Sequence, residues 1–273
     1  MRMEGMVFYG GGGGGGGVRT KGDGSYRMNE SEVGEYELVV SHASRVMDEY
    51  VRVTLTPGEV ELHVDLPSTI VEGVVVDQDG EPVEGVLVSI QQPGASMLTG
   101  MAMIMGSTGG TQFHVGEGRD DGRIKTDGAG RFRLRGVASG CELELKVRGG
   151  NYQTETIEIS PLRPDEVRDG VRVALTEGGG VEATLILVDG RSPGFAAIKL
   201  TQLVDGEPRG ETRHENAEGG TVRIEGLAPG EWRVRTTVFD LGNIAQSGEP
   251  DTLEQEQVVK VKTGEVTEVL FQY

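Results

Sequence analysis

One stretch of sequence occurs three times in this chain, and it decides the fold. Its clearest copy is Thr126-Asp127-Gly128-Ala129-Gly130-Arg131-Phe132-Arg133-Leu134. An earlier copy reads Thr20-Lys21-Gly22-Asp23-Gly24-Ser25-Tyr26-Arg27-Met28, and a diverged one reads Glu218-Gly219-Gly220-Thr221-Val222-Arg223-Ile224. Each copy is a glycine-rich turn followed by alternating apolar and polar residues, which is the pattern of a turn that leads into a β-strand. Repetition at intervals of about 100 residues indicates tandem domains rather than one large enzyme.

Each copy is followed by a second glycine and another alternating run, at Gly34, Gly140 and Gly230. Successive side chains of a strand point to opposite faces of the sheet, so the apolar members of these runs should form the core. The predicted core positions are Tyr36, Leu38, Phe132, Leu134, Trp232 and Val234. The polar neighbours that should face solvent are Glu37, Arg133 and Arg233.

Composition excludes several classes of protein. The chain has 273 residues and a formal charge of −18, which repels nucleic acid and anionic membranes. Its single cysteine, Cys141, allows no intrachain disulfide. The sequence contains no run of eighteen apolar residues, so no membrane-spanning helix is predicted. The N-terminal residues lack the apolar stretch of a secretory signal peptide.

The alternating runs predict an all-β chain of three modules, at residues 1–67, 68–176 and 177–273. The first module has no counterpart of the opening strands at 70–76 and 181–188, so the chain is expected to begin in mid-domain. A sheet without that strand would leave an open edge. Self-association through residues 1–67 is therefore expected.

Two further segments carry structural predictions. Residues 51–55 and 60–64 alternate on either side of a Thr-Pro-Gly turn and predict a hairpin. Residues 92–123 form a long insertion rich in glycine and methionine, and a loop of that length is either functional or disordered. We expect it to be mobile and dispensable for folding, because it offers little that could pack.

Residues 70–77, the turn with Gly80, Pro82 and Gly85, the motif at 126–132 and the strand led by Gly140 together resemble the carboxypeptidase regulatory-like domain. The resemblance covers residues 68–176, more weakly 177–273, and the latter half of the module at 1–67. It implies tandem seven-strand β-sandwiches of the prealbumin-like (transthyretin-like), Ig-like type. Such modules occur in exported or surface proteins of bacteria, which implies an extracellular or cell-surface location. The family has no catalytic residues of its own.

The sequence predicts no catalytic, cofactor-binding or metal-ligating residues, and hence no enzyme. The four histidines, His42, His63, His114 and His214, are not at metal-binding spacing, and no Gly-x-Ser-x-Gly motif occurs. The Asp-Gly sequences at 77–80 and 120–122 lack the remaining ligands of a calcium loop and are interpreted as turns.

Two functions remain open. The first is a non-catalytic structural or adhesive array within a larger exported bacterial protein. The alternative is a carbohydrate- or peptide-binding module accessory to an exported enzyme, so a protein or polysaccharide surface is the expected class of partner. Sugar-binding faces present exposed aromatic residues, whereas Trp232, Tyr36 and Phe132 occupy predicted core positions.

Overall fold

A computed structural model of the chain describes residues 8–10, 20–21, 23–27, 33–93, 111–115, 123–188, 190–217, 219–240 and 251–273. The eighteen strands within these ranges confirm the predicted all-β class. The described residues contain no helix long and apolar enough to cross a membrane.

Contacts divide the chain into two compact units. One comprises Met1–Val76, Gly80–Val147 and Thr156–Val173, and the other comprises Asp77–Asp79, Arg148–Glu155 and Ala174–Tyr273. Both the first and the second predicted module lie mainly in the first unit. The division at residues 67 and 176 stays a prediction.

The third module is a seven-strand β-sandwich. One sheet has the order β15-β12-β18 and the other β14-β13-β16-β17. Their facing sides share one core, in which Trp232 and Phe271 are fully buried. The strands are β12 (Gly179–Ile186), β13 (Ala196–Val204), β14 (Glu207–Ala217), β15 (Thr221–Leu227), β16 (Gly230–Asp240), β17 (Asp251–Val261) and β18 (Val266–Gln272).

The second module also has seven strands in two sheets, with the orders β11-β4-β8 and β10-β9-β5-β7. Within the first of these sheets, Gly73 lies close to the backbone of Val171. A Cβ on residue 73 would lie 1.9 Å from the carbonyl oxygen of residue 171. The second and third modules together confirm the tandem seven-strand sandwiches predicted from the sequence. The strands are β4 (Ile70–Val76), β5 (Leu87–Gln91), β7 (Ile124–Lys125), β8 (Arg131–Arg135), β9 (Leu143–Gly149), β10 (Tyr152–Ile159) and β11 (Val167–Ala174).

The predicted core is confirmed. All six apolar positions named from the repeat are buried. Of the polar neighbours, Arg133 exposes half of its side chain, whereas Arg233 is half-buried. The side chain of Glu37 lies outside the described part of the structure.

The repeated turn has the same hydrogen bonds in its first two copies. In the second module the amide of Asp127 donates to Arg131 O (3.0 Å) and that of Gly130 to Asp127 O (2.8 Å). In the first, Lys21 N donates to Ser25 O (2.9 Å) and Gly24 N to Lys21 O (2.8 Å). The repeat in sequence is therefore a repeat in backbone geometry.

The described part of the first module forms one sheet, with the order β1-β6-β2-β3. Its strands are β1 (Phe8–Gly10), β2 (Gly34–Val40), β3 (Glu49–Leu55) and β6 (Thr111–Val115). Strand β6 belongs to the insertion at 92–123, so residues 111–115 pair within a segment that was expected to offer little that could pack. The remaining insertion residues, 94–110 and 116–122, lie outside the described residues.

The predicted hairpin after residue 55 is also wrong. Strand β3 pairs with β2, and residues 56–69 form no strand. The apolar side chains of this segment still pack on the β2–β3 sheet, and the hydroxyl of Tyr26 donates to Leu62 O (3.0 Å). In each of the other two modules a closing strand takes the place of this segment. That strand, β11 or β18, lies beside the opening strand of its module, β4 or β12. The first module has no such neighbour among its described residues, so residues 56–69 join no sheet.

Candidate functional site

The described residues contain no group of three or more His, Cys, Asp or Glu side chains that could hold a metal ion. The histidines make local contacts at the surface. Nδ1 of His42 lies 2.7 Å from the hydroxyl of Ser44, and Nε2 of His63 lies 3.3 Å from Glu61. His214 is exposed on β14, and His114 is described only by its backbone.

The Asp-Gly sequences form turns. The Asp127 carboxylate accepts hydrogen bonds from the amides of Ala129 (2.9 Å) and Arg131 (2.8 Å), and Asp77 accepts one from Asp79 N (2.9 Å). Aspartate side chains commonly bond backbone amides two residues on, which stabilises a turn without any ion. Residues 120–122 lie outside the described part of the chain.

The aromatic residues of the repeat do not form a sugar-binding platform. Trp232, Phe132 and Tyr36 are buried. The indole Nε1–H of Trp232 donates to Ala228 O at 2.8 Å, which satisfies its one polar group inside the core.

The candidate binding surface is the outer face of the four-stranded sheet in the third module. Lys199 on β13 lies directly opposite Arg235 on β16. Arg233 lies two residues before Arg235 and therefore shares its face, which is opposite to the buried Trp232. Val258 on β17 pairs with Arg233 and is 57% exposed. We call Lys199, Arg233, Arg235 and Val258 the basic face.

The charges of the basic face are incompletely balanced. The Arg235 guanidinium lies 3.2 Å from the Glu256 carboxylate, but Lys199 has no ion pair among the described residues. Like charges directly opposite each other on neighbouring strands are destabilising. Nε of Arg233 is buried, with no hydrogen-bond partner in the described structure. Glu254 and Glu256 share the outer face of β17 with Val258, so the positive charge that an anionic ligand could offset is concentrated at Lys199 and Arg233.

The outer face of the three-stranded sheet differs. Its arginine, Arg223, lies 2.8 Å from Glu225 and 3.9 Å from Glu182. Both carboxylates are neighbours on the same face, so the charge of Arg223 is balanced within the module.

Side chains cap one edge of the third module, the edge at which β17 and β18 end their sheets. Gln257 donates from its amide nitrogen to Leu270 O (2.7 Å), and Gln255 donates to Gln272 O. In return, the hydroxyl of Thr267 donates to Lys260 O (3.0 Å). Because these carbonyl groups are engaged, the edge formed by β17 and β18 is a poor template for an added strand.

A buried arginine was not anticipated from the sequence. Arg45 is only 6% exposed, and its guanidinium donates to Pro67 O (2.6 Å) and pairs with Glu49 (3.0 Å). Burial lowers the pKa of this guanidinium, while the negative charges of Glu49 and Asp48 oppose the shift. Its side chain lies against Gly136, where a Cβ would approach Arg45 Cγ to 2.4 Å. These contacts make Arg45 a structural residue.

No protein-family model matches the chain, and no curated protein is similar to it. Among solved structures it is similar to a streptococcal ancillary pilin, with a TM-score of 0.31 and 16% identity over 94% of this chain and 81% of the pilin. The Bacillus anthracis TIE protein gives a TM-score of 0.28 and 16% identity over 99% of this chain and 47% of that protein. Catechol 1,2-dioxygenase from Pseudomonas arvilla C-1 gives 0.26 and 13% over 42% of this chain and 54% of the enzyme. Similarity of this extent assigns the chain to no family and carries no argument about function.

Proposed function

We propose that this chain is a non-catalytic structural and adhesive segment of a larger exported bacterial protein, and that its basic face contacts a polysaccharide bearing carboxylate groups. The observation that carries the proposal is the juxtaposition of Lys199 and Arg235, with Arg233 beside them, on an open sheet face. In a chain with a net charge of −18, such a grouping favours a local contact with an anion over a general attraction to polyanions.

A polysaccharide is favoured over an extended peptide. Peptides that extend a sheet use a free strand edge, and the edge that borders the basic face, formed by β17 and β18, is capped by Gln255, Gln257 and Thr267. The face itself is open. Because the aromatic residues of the repeat are buried, the contact would depend on charge-assisted hydrogen bonds from lysine and arginine rather than on stacking.

The setting in an exported bacterial protein follows from the resemblance of residues 68–176 to the carboxypeptidase regulatory-like domain. Tandem sandwiches of that kind would act as spacers that present the third module. The alternative, a binding module accessory to an exported enzyme, would use the same face and would differ only in the domains to which it is attached.

The test is a titration of the full chain with polygalacturonate at low ionic strength, in which calorimetry or biolayer interferometry measures binding. The double variant Lys199→Glu/Arg235→Glu should lose binding by about tenfold or more, equivalent to about 1.4 kcal/mol. Arg223→Glu, a charge reversal on the other sheet, should bind like the wild type. Added salt should weaken the interaction, because exposed charges are screened.

Three results would overturn the proposal. The double variant could bind as tightly as the wild type, or a neutral dextran could bind as well as polygalacturonate. Preferential binding of poly-glutamate would make the partner an acidic peptide instead of a polysaccharide.

A further inference from the structure

We propose that the insertion of the second module is a built-in donor strand that completes the sheet of the first module. The acceptor is the edge of β2, and the occupant is the segment Thr111–Val115 of the same chain. This inference is independent of the proposed binding function.

The position of β6 in its sheet carries the inference. Strands β2, β9 and β16 each follow a copy of the repeat, and each has the next strand of its own module on one side: β3, β10 and β17. On the other side, β9 is bordered by β5 and β16 by β13. Strand β2 is bordered there by β6. The donated strand thus fills the place that the other modules fill from their own sequence.

The direction of β6 distinguishes it from its counterpart in the third module. β13 runs antiparallel to β16, whereas β6 runs parallel to β2. Parallel neighbours cannot be joined by a tight turn and require a long connection. The path from β2 to β6 passes through much of the second module, which provides that connection.

The sequence of the segment fits this role. Residues 111–115 read Thr-Gln-Phe-His-Val, with Gly109 and Gly110 before them and Gly116 after them. The register aligns Phe113 with Leu38 and Val115 with Val40. Leu38 and Val40 belong to the buried cluster of the first module. In this register residues 113 and 115 lie beside the positions through which β2 contributes to that cluster.

Strand β1 depends on the same segment. Residues 8–10 pair antiparallel with residues 113–115, and β1 borders no other strand among the described residues. Removing β6 would therefore leave β1 without a partner and expose the edge of β2. An exposed strand edge is a template for pairing with another chain, which would produce the self-association expected for residues 1–67.

Peptide complementation tests this inference. In one variant, residues 111–115 of the full chain are replaced by Gly-Ser-Gly-Ser-Gly, and a labelled synthetic peptide of residues 109–117 is added. The variant should bind the peptide and regain stability, whereas the wild type, whose edge is occupied, should not bind. A scrambled peptide should bind at least about tenfold more weakly. The same replacement at residues 117–121 provides the matched control and should create no peptide site.

A milder pair of substitutions keeps the inference testable if the replacement variant does not fold. Phe113→Ser should lower the melting temperature of the first unit by about 4 °C or more. Gln112→Ser, at the adjacent position on the other face, should leave it near the wild-type value. Equal melting of both variants and the wild type would overturn the inference, as would a foldable replacement variant that binds no peptide.

Discussion

The amide of Val75 donates a hydrogen bond to the carbonyl oxygen of Gly130 at 2.8 Å, and the corresponding pair in the third module, Leu185 and Gly220, is joined at 2.6 Å. In both modules the turn glycine of the repeat is thereby attached to the opening strand. A Cβ at residue 130 would lie 2.4 Å from Val75 O, and one at residue 220 would lie 2.9 Å from Leu185 O. The motif requires glycine because the backbone of another strand occupies the space of a side chain.

Alanine at this glycine should therefore be costly. Gly130 has φ = 67°, so Gly130→Ala combines an unfavourable backbone conformation with a steric clash, and we expect a loss of about 1–3 kcal/mol. Gly128→Ala in the same turn is the matched control, since its Cβ would meet only the Glu84 side chain at 3.7 Å. Chemical denaturation of both variants measures the difference. Equal stability would show that the turn relaxes without cost.

The first threonine of the repeat gives a second matched pair. The Thr126 hydroxyl donates to Val83 O (2.8 Å) and accepts from Val86 N (3.1 Å), so Thr126→Val should cost about 1–3 kcal/mol. The hydroxyl of Thr20, at the same position of the first copy, is buried with no partner in the described structure. Thr20→Val should accordingly be neutral or stabilising. Thermal unfolding of the two variants should separate them, and a marked loss on Thr20→Val would reveal a bond to that hydroxyl.

The core of the third module depends on one large side chain. Trp232 is fully buried, and its truncation to alanine should cost about 3–5 kcal/mol because it leaves a cavity. Trp232→Phe retains much of the side-chain volume, so it should cost less. Loss of the hydrogen bond to Ala228 should lower the free energy of unfolding by about 1 kcal/mol, and the smaller ring should add a further, smaller loss of packing. Circular dichroism follows both transitions. A Trp232→Ala variant that melts like the wild type would place this residue at the surface.

Glu166 predicts a defined dependence of stability on pH. Hydrogen bonds from the Arg163 amide and the Arg168 guanidinium lower the pKa of Glu166 from 4.5 to about 2. A lowered pKa means that the carboxylate stabilises the fold fully above pH 4.5, and that this contribution is lost as the pH falls through about 2. Glu166→Gln should be less stable than the wild type at pH 6 and should converge with it near pH 2. Urea midpoints measure this, with the exposed Glu158→Gln as control. A constant difference across the range would contradict the assignment.

Local pattern was sufficient for the strands that pack within their own module. The opening strand predicted at 70–76 is present as β4 with the same bounds, and the repeat located the buried aromatic residues. These features depend on period-two burial, which a sequence displays directly.

Features that depend on partners distant in sequence could not be predicted. The basic face exists because strand pairing brings Lys199 beside Arg235. The alternation at 111–115 was visible between its glycines, but nothing local identifies β2 as its partner. Alternation at 60–64 predicted a hairpin, yet that segment packs its apolar side chains without a neighbouring strand. In each case the outcome is decided by tertiary pairing and not by local propensity.

The most direct test of the account is a disulfide between β2 and β6. The register places Glu37 opposite Gln112, and paired strands bring Cα atoms within the 4.4–6.8 Å that a disulfide needs. In a Cys141→Ser background, Glu37→Cys/Gln112→Cys should oxidise to a monomer with an intrachain bond, detected by peptide mapping under non-reducing conditions. Arg52→Cys/Gln112→Cys should not, because β2 separates those strands by two spacings, about 10 Å in total. Absence of the 37–112 bond, or equal yields from both pairs, would contradict the claim that residues 111–115 complete the first sheet.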